Sequence, residues 1–404
     1  QKSIYILYGR MQEFHIIGIT DSRELSFSKE VQALIARSHV FSGGKRHHEI
    51  VAAMLPESSV WIDITVPLDA VFECYAGYQE IVVFASGDPL FFGFANTVMR
   101  KLPEAVVKVY PSFSSLQLLA HKALLPYHDM RTISLTGRPW KALDEALISG
   151  ETLIGSLTDR EKTPASIAAR MQAYGYANYR MIVGEQLGNE EETVAEYSVE
   201  EAMERHFRMP NCVILKRITV RERSFGIPEE QFELLDGRAN MITKMPVRLL
   251  SLSLLDLRNR SVMWDVGFCT GSVSIEAKLQ FPHLDIVAFE KREAGRQLME
   301  TNSHRFGCPG ITTVIGDFLD IPLEKFPMPD AVFIGGHGGK LGEMIKKIAP
   351  LLLVGGTLVF NSVSEDSRNQ FEKAIDDNGL KLEQVIRLTV DEHNPIDTLK
   401  AIKR

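Results

Sequence analysis

Val262-Met-Trp-Asp-Val-Gly-Phe-Cys-Thr-Gly-Ser272 reads as a buried strand that breaks into a tight turn and restarts as a helix. Gly267 and Gly271 let the backbone pass close to a ligand with no Cβ in the way. The helix from Ser272 points its N-terminus at the same place. The next strand, 285–289, ends at Glu290, 19 positions beyond Gly271. That is close to the ~20 expected of an acid that hydrogen-bonds ribose hydroxyls. A third acid, Asp317, follows the strand at 312–315 and suits contacts to adenine. A nicotinamide dinucleotide is the obvious rival. Its fingerprint wants Gly-x-Gly-x-x-Gly, and here Cys269 holds the middle position and Ser272 the last, so it fails twice.

Strand and helix patterns alternate on both sides of this stretch. The apolar runs 14–19, 81–85, 262–266 and 331–334 read as buried parallel strands, which makes both halves α/β. A chain of 404 residues is long enough for two domains. The boundary falls near 218–226. A strand at 211–217 closes the first half, and the charged stretch 220–228, punctuated by Gly226 and Pro228, reads as a linker. One domain is therefore expected over 11–219 and a second over 226–404, with no internal repeat. The short apolar stretch before Met11 reads as a tag, a displaced start or a loose extension.

The composition, 45% hydrophobic and 24% charged, is that of a soluble globular protein. No apolar run approaches the ~20 residues of a membrane span, and no signal peptide is visible, so no membrane partner is expected. A net charge of -7 disfavours nucleic acid as a partner. Cys74, Cys212, Cys269 and Cys308 form no Cys-x-x-Cys pair. Neither a metal site nor a disulfide framework is indicated, and a cytoplasmic location fits.

Asp265, Gly267 and Gly271 satisfy the class I methyltransferase pattern of an acid followed by glycines flanking a short loop, although Cys269 replaces its central glycine. Two further features narrow the likeness: 241–248, preceded by Gly226-Ile-Pro228, and Phe333-Ile-Gly-Gly-His-Gly-Gly339. With Asp265-Val-Gly267 and Ser272-Val-Ser-Ile-Glu276, they resemble the decarboxylating cobalamin-pathway methyltransferase family over nearly all of 226–404.

In the other half, Ala85-Ser-Gly-Asp-Pro-Leu-Phe-Phe-Gly93 follows a buried strand and is read as opening a helix, with Pro89 near its start. Pro111-Ser-Phe-Ser-Ser115, Leu135-Thr-Gly-Arg138 and Leu157-Thr-Asp159 follow at strand-to-loop transitions, where α/β ligand sites are built. In this order the motifs look like the tetrapyrrole methylase (class III methyltransferase) family, matching residues 14–217. Ser42-Gly-Gly-Lys-Arg-His-His-Glu49 adds to the likeness. The family's opening Gly-x-Gly-Pro-Gly loop is altered: only Gly18 of Gly18-Ile-Thr-Asp-Ser-Arg-Glu-Leu keeps it.

The resemblance implies a tetrapyrrole methylase fold followed by a Rossmann-like class I domain, each using S-adenosylmethionine. Cofactor binding would fall to Gly18, Gly87, Asp88, Pro89, Ser114, Ser115 and Gly137 in the first, and to Asp265, Gly267, Gly271, Glu290 and Asp317 in the second. The substrate would be a precorrin-6 type corrinoid, methylated at carbon 5 by the first domain and at carbon 15 by the second. The second would also remove the carbon-12 acetate carboxyl. Lys45, Arg46, Thr243, Lys244, Arg248, Gly336 and His337 are candidates for gripping it. A corrinoid precursor carries many carboxylates, which local basic residues bind by charge-assisted hydrogen bonds. His47 and His48 read as a solvated helix start rather than a metal pair. The family likeness also implies a homo-oligomer. No catalytic triad is expected, because the sulfonium methyl is already activated and alignment supplies much of the rate, up to ~7–11 kcal/mol. Two rivals stand beside this. One is an RNA or small-molecule methyltransferase, which leaves the N-terminal half unexplained. The other is a chain active only in its C-terminal domain, whose N-terminal domain binds substrate or assembles.

Overall fold

The computed structural model describes residues 11–22, 25–238, 240–391 and 394–404. The stretch before Met11, and Arg23 and Glu24 of the altered loop, lie outside the described residues. The chain forms two compact units. The first holds the chain up to Arg138 together with Thr152–Ala169 and Tyr179–Arg217; the second holds Pro139–Glu151, Arg170–Asn178 and Ile218–Arg404.

The first unit has two sheets. Strands β1 (Glu13–Ile19), β2 (Val40–Gly43), β3 (Val60–Asp63), β4 (Glu80–Ser86) and β5 (Val106–Tyr110) form a parallel sheet in the order β3-β2-β4-β1-β5. Phe14, Ile16, Ile81 and Val83 bury one face of it, while Ile17, Phe41, Val82 and Phe84 bury the other. Burial on both faces is why these strands read as unbroken apolar runs. Strands β6 (Arg131–Ser134), β7 (Leu153–Leu157), β8 (Tyr179–Glu185), β9 (Thr193–Tyr197) and β10 (Asn211–Arg217) form a mixed sheet, β6-β7-β10-β8-β9.

The second unit carries β11 (Val262–Val266), β12 (Asp285–Glu290), β13 (Ile311–Ile315), β14 (Ala331–Ile334), β15 (Thr357–Ser362), β16 (Leu380–Leu388) and β17 (Ile396–Lys403) in one sheet, β13-β12-β11-β14-β15-β17-β16. The first five pair in parallel, and β17 is antiparallel to both β15 and β16. The chain winds outward from β11 to β13, then resumes at β14 on the other side of β11. The switch point lies between β11 and β14, and open α/β sheets bind ligands outside the strand ends at that point.

The 218–226 stretch forms no helix or strand, and its arginines are anchored. Within the second unit Arg221 donates to the Tyr174 carbonyl at 2.7 Å and the Arg305 carbonyl at 3.1 Å. Arg223 donates to the Tyr176 hydroxyl and to the Gly307 carbonyl. The compact units place 139–151, 170–178 and 218–225 in the second unit, unlike the division at 219/226. Among the described residues no helix is long and apolar enough to cross a membrane.

Candidate functional site

A cavity of about 770 Å³ opens at the switch point of the second unit. Gly267 and Gly271 both sit at φ +78° and Cys269 at φ +52°, so the loop after β11 coils in the left-handed region. The glycines serve the protein's own packing. A Cβ on Gly267 would lie 2.6 Å from Gly336 N and O, and one on Gly271 would lie 2.6 Å from Met299 Sδ. Gly267 thus permits the close backbone approach of the loops after β11 and β14, and Gly271 makes room for Met299.

Three acids line this cavity at the ends of successive strands. Asp265 is fully buried; its Oδ2 accepts from the Ser274 hydroxyl at 2.6 Å, and its Oδ1 has no partner among the described residues. Burial pushes its carboxyl up to about 7. Glu290, at the end of β12, accepts the Cys269 N–H at 3.0 Å on one oxygen and the Arg292 N–H at 2.9 Å on the other. Asp317 accepts from Lys291 Nζ at 2.8 Å and from the Leu319 N–H at 3.1 Å. The Lys291 hydrogen bond, ahead of the others, holds its carboxyl down at about 2.

Thr243, Lys244, Gly336 and His337 also line the cavity. Lys244 caps the helix Met245–Leu255, and its ammonium has no anionic partner among the described residues. Arg248 is a correction. It is fully buried, 3.3 Å from Glu276 and donating to the carbonyls of Thr243 and Ile227, so it cannot reach a substrate. Glu276 in turn accepts the N–H groups of Gly226 and Ile227 at 3.1 and 2.9 Å. The pair pins the segment leading into the cavity wall. The sequence reading missed Val363, Val390 and Ile396, which add apolar lining, and Asn361, which adds an amide. Asn361, a polar residue near the C-terminal end of the buried strand β15, was the available signal.

In the first unit Gly18, Gly87, Asp88, Pro89, Ser114 and Ser115 follow the C-terminal ends of β1, β4 and β5, whereas Gly137 follows β6 of the other sheet. A Cβ on Gly18 would meet Gly87 O at 2.0 Å and Ser112 N at 2.8 Å, so three loops converge on it. Gly87 sits at φ +63° and donates to the Ile19 carbonyl at 2.7 Å. Asp88 Oδ1 accepts the Leu90 N–H at 2.8 Å. Pro89 is a second correction: it lies in the turn, and the helix starts only at Phe94. Ser114 caps the helix Ser115–Lys122, its Oγ accepting from Gln117 N at 3.3 Å. Gly137, at φ +61°, donates to Asp159 at 2.8 Å.

Lys45 and Arg46 open the helix Lys45–Val51. Lys45 is exposed, whereas Arg46 is tied to Asp21 of the altered loop at 2.9 Å and to Ser86 Oγ at 3.2 Å. The solvated reading of the two histidines does not hold. His47 bonds Ser86 Oγ at 2.8 Å and accepts from Gly44 N at 3.2 Å, and burial pushes it down to about 4. His48 stacks on Trp61 with ring centroids 4.1 Å apart. Among the described residues no cluster of three or more His, Cys, Asp or Glu is placed to hold a metal ion.

Comparison with known proteins covers both units. Residues 13–203 match the family of tetrapyrrole (corrin/porphyrin) methylases, and residues 235–404 match a precorrin methyltransferase domain. The chain is 32% identical over 355 residues to a precorrin-6Y C(5,15)-methyltransferase [decarboxylating] of Sinorhizobium sp, covering 87% of this chain and 84% of that one. It is 41% identical over 133 residues to the cobalt-precorrin-6B C(15)-methyltransferase (decarboxylating) of Salmonella typhimurium, covering 33% of this chain and 68% of that one. A crystal structure of precorrin-6Y C5,15-methyltransferase from Geobacter metallireducens aligns with a TM-score of 0.42 at 31% identity, over 45% of this chain and 100% of that one.

Proposed function

The chain belongs to the precorrin-6Y C(5,15)-methyltransferase (decarboxylating) family, and from that membership we propose that it methylates a precorrin-6 type corrinoid at carbons 5 and 15 and removes its carbon-12 acetate carboxyl. The observation that carries the reading is the cavity at the β11/β14 switch point, lined by acids at the strand ends and by apolar side chains such as Met241, Ile242, Val363 and Val390. S-adenosylmethionine, when bound there, would supply an activated methyl on sulfur. The residues fit it. Glu290 and Asp317 offer carboxylate oxygens to ribose and adenine, and the partnerless Oδ1 of Asp265 awaits a donor or a cation. A buried acceptor left unmet costs roughly 1–3 kcal/mol, so a ligand that meets it gains that much.

The remaining side chains bind and orient the macrocycle. Met241, Ile242, Val363 and Val390 give its flat apolar face a dry wall. Lys244 offers its carboxylates an ammonium without an anionic partner among the described residues. Water exclusion and alignment are the site's main contribution, since the macrocycle carbon is itself an electron-rich nucleophile. In the first unit the loops around Gly18, Gly87 and Ser114 are assigned to a second S-adenosylmethionine and carbon-5 methylation. The proposal extends to a cytoplasmic homo-oligomer.

Incubation with precorrin-6B or its cobalt form and labelled S-adenosylmethionine, followed by mass spectrometry, tests the reading. Two methyl additions and the loss of one carbon dioxide are expected. A product with one methyl and no carbon dioxide loss would overturn the assignment of the C-terminal site.

A further inference from the structure

The loop after β14 makes a turn whose purpose lies in one imidazole. Gly338 at φ +53° and Gly339 at φ +82° are in the left-handed region, with nothing nearby that a Cβ would strike. Their conformation, not crowding, requires glycine. The turn closes with Lys340 N donating to the His337 carbonyl at 2.9 Å. It also brings the Gly339 N–H to His337 Nδ1 at 3.2 Å. A backbone N–H can only donate, so Nδ1 carries no proton and the neutral ring holds its hydrogen on Nε2. The Phe360 ring, centroid 5.7 Å away and tilted by 74°, supports the imidazole edge-on. Nε2 has no partner among the described residues, and the ring lines the cavity. The one cation on the same turn, Lys340, lies 3.6 Å from Asp317.

We propose that His337 is the donor that grips the departing carboxylate of the substrate, through Nε2–H and in its neutral form. This rests on the decarboxylating reading of the site. In the step, the bond between the acetate methylene and its carboxylate breaks and its electron pair passes into the conjugated macrocycle. Carbon dioxide leaves, and a proton originating in water adds to the methylene carbon to give a methyl group. The carboxylate's charge disappears as the bond breaks. A cation against it would stabilise the starting state most and slow the step. A neutral donor fixes the carboxylate's direction with less of that penalty, and the Asp317 carboxylate keeps Lys340 engaged elsewhere. Burial holds the imidazole's own proton affinity below the ordinary histidine value, which favours the neutral ring.

The test uses the full chain with precorrin-6B, reading carbon dioxide release and carbon-15 methylation separately, with S-adenosylmethionine affinity by calorimetry. His337→Ala should slow carbon dioxide release on the order of tenfold to a hundredfold, the range for a hydrogen bond to a charged group, and leave cofactor affinity within about twofold. His337→Gln, which keeps a neutral donor near the Nε2 position, should restore most of the rate. Wild-type release by the Ala variant, a Gln variant as slow as Ala, or loss of cofactor binding in step with release would each overturn the proposal. A wild-type chain that neither methylates precorrin-6B nor releases carbon dioxide would overturn the functional reading beneath it instead.

Discussion

Single side chains in the second unit separate into those that meet a ligand and those that only hold the walls. Arg248 is of the second kind. Its partner Glu276 is equally buried, and breaking such a pair by removing one member costs about 3–5 kcal/mol because the other charge is stranded. Arg248→Ala should therefore lower the unfolding free energy by that amount in denaturant titration. A variant of full stability with a raised KM would show that the guanidinium reaches substrate after all. Asp265 makes the complementary case. Its folded carboxyl titrates near 7, above the unfolded value of about 3.9. Folding thus favours the protonated form, and this contribution is full below the unfolded value and lost as pH rises through about 7. Asp265→Asn keeps the shape and stays neutral. Its melting temperature should match the wild type near pH ~4 and exceed it at pH ~8, while its S-adenosylmethionine affinity falls. A melting difference independent of pH would refute the assignment of a neutral buried acid.

At the scale of elements, the loop after β11 depends on the strand beside it. Glu290 comes from β12, yet one of its oxygens fixes the Cys269 N–H and the other the turn at Arg292. Glu290→Ala should cost ~1.5–3 kcal/mol of cofactor affinity. It should also raise hydrogen exchange at the Cys269 amide, since that N–H loses its acceptor. Unchanged affinity by calorimetry would remove Glu290 from the site, and unchanged exchange would mean that the loop holds itself. This coupling shows where sequence reading works. Strand, turn and acid were legible at 262–272 and 290 because β11 and β12 are largely buried apolar runs, β11 gives way to Gly267 and β12 ends in Glu290. Arg248 was misread because its partner lies 28 positions away, and a basic residue near a helix start looks solvated until the facing helix is known. Pro89 was misread because proline suits a turn as well as a first helical turn. Val363, Val390 and Ile396 were invisible because they carry no motif: they follow β15, follow β16 and open β17, and only the sheet order β15-β17-β16 brings those ends together.

At the scale of the whole molecule, two units with separate ligand loops predict two working sites. The first has two sheets and the second one, and each has its own loops: Gly18, Gly87 and Ser114 in the first, Asp265, Gly267 and Glu290 in the second. The first unit departs from its family at 18–24, and there Asp21 ties down Arg46, which is also held at Ser86 beside Gly87. The Arg46 side is 44% exposed, so solvent screens the pair and it does not by itself lock the site against a ligand. Full-length chain should accordingly take up two equivalents of S-adenosylmethionine in calorimetry. Asp88 Oδ1 shapes the turn through the Leu90 N–H, so Asp88→Ala should reduce the uptake to one while carbon-15 methylation and carbon dioxide release persist and carbon-5 methylation stops. Asp21→Ala frees Arg46 and should leave two equivalents bound. A stoichiometry of one in the unmutated chain at saturating ligand would count against two working sites. If Asp21→Ala then raised it to two, the altered loop would be the cause; if not, the first unit would serve the second by binding substrate or by assembly.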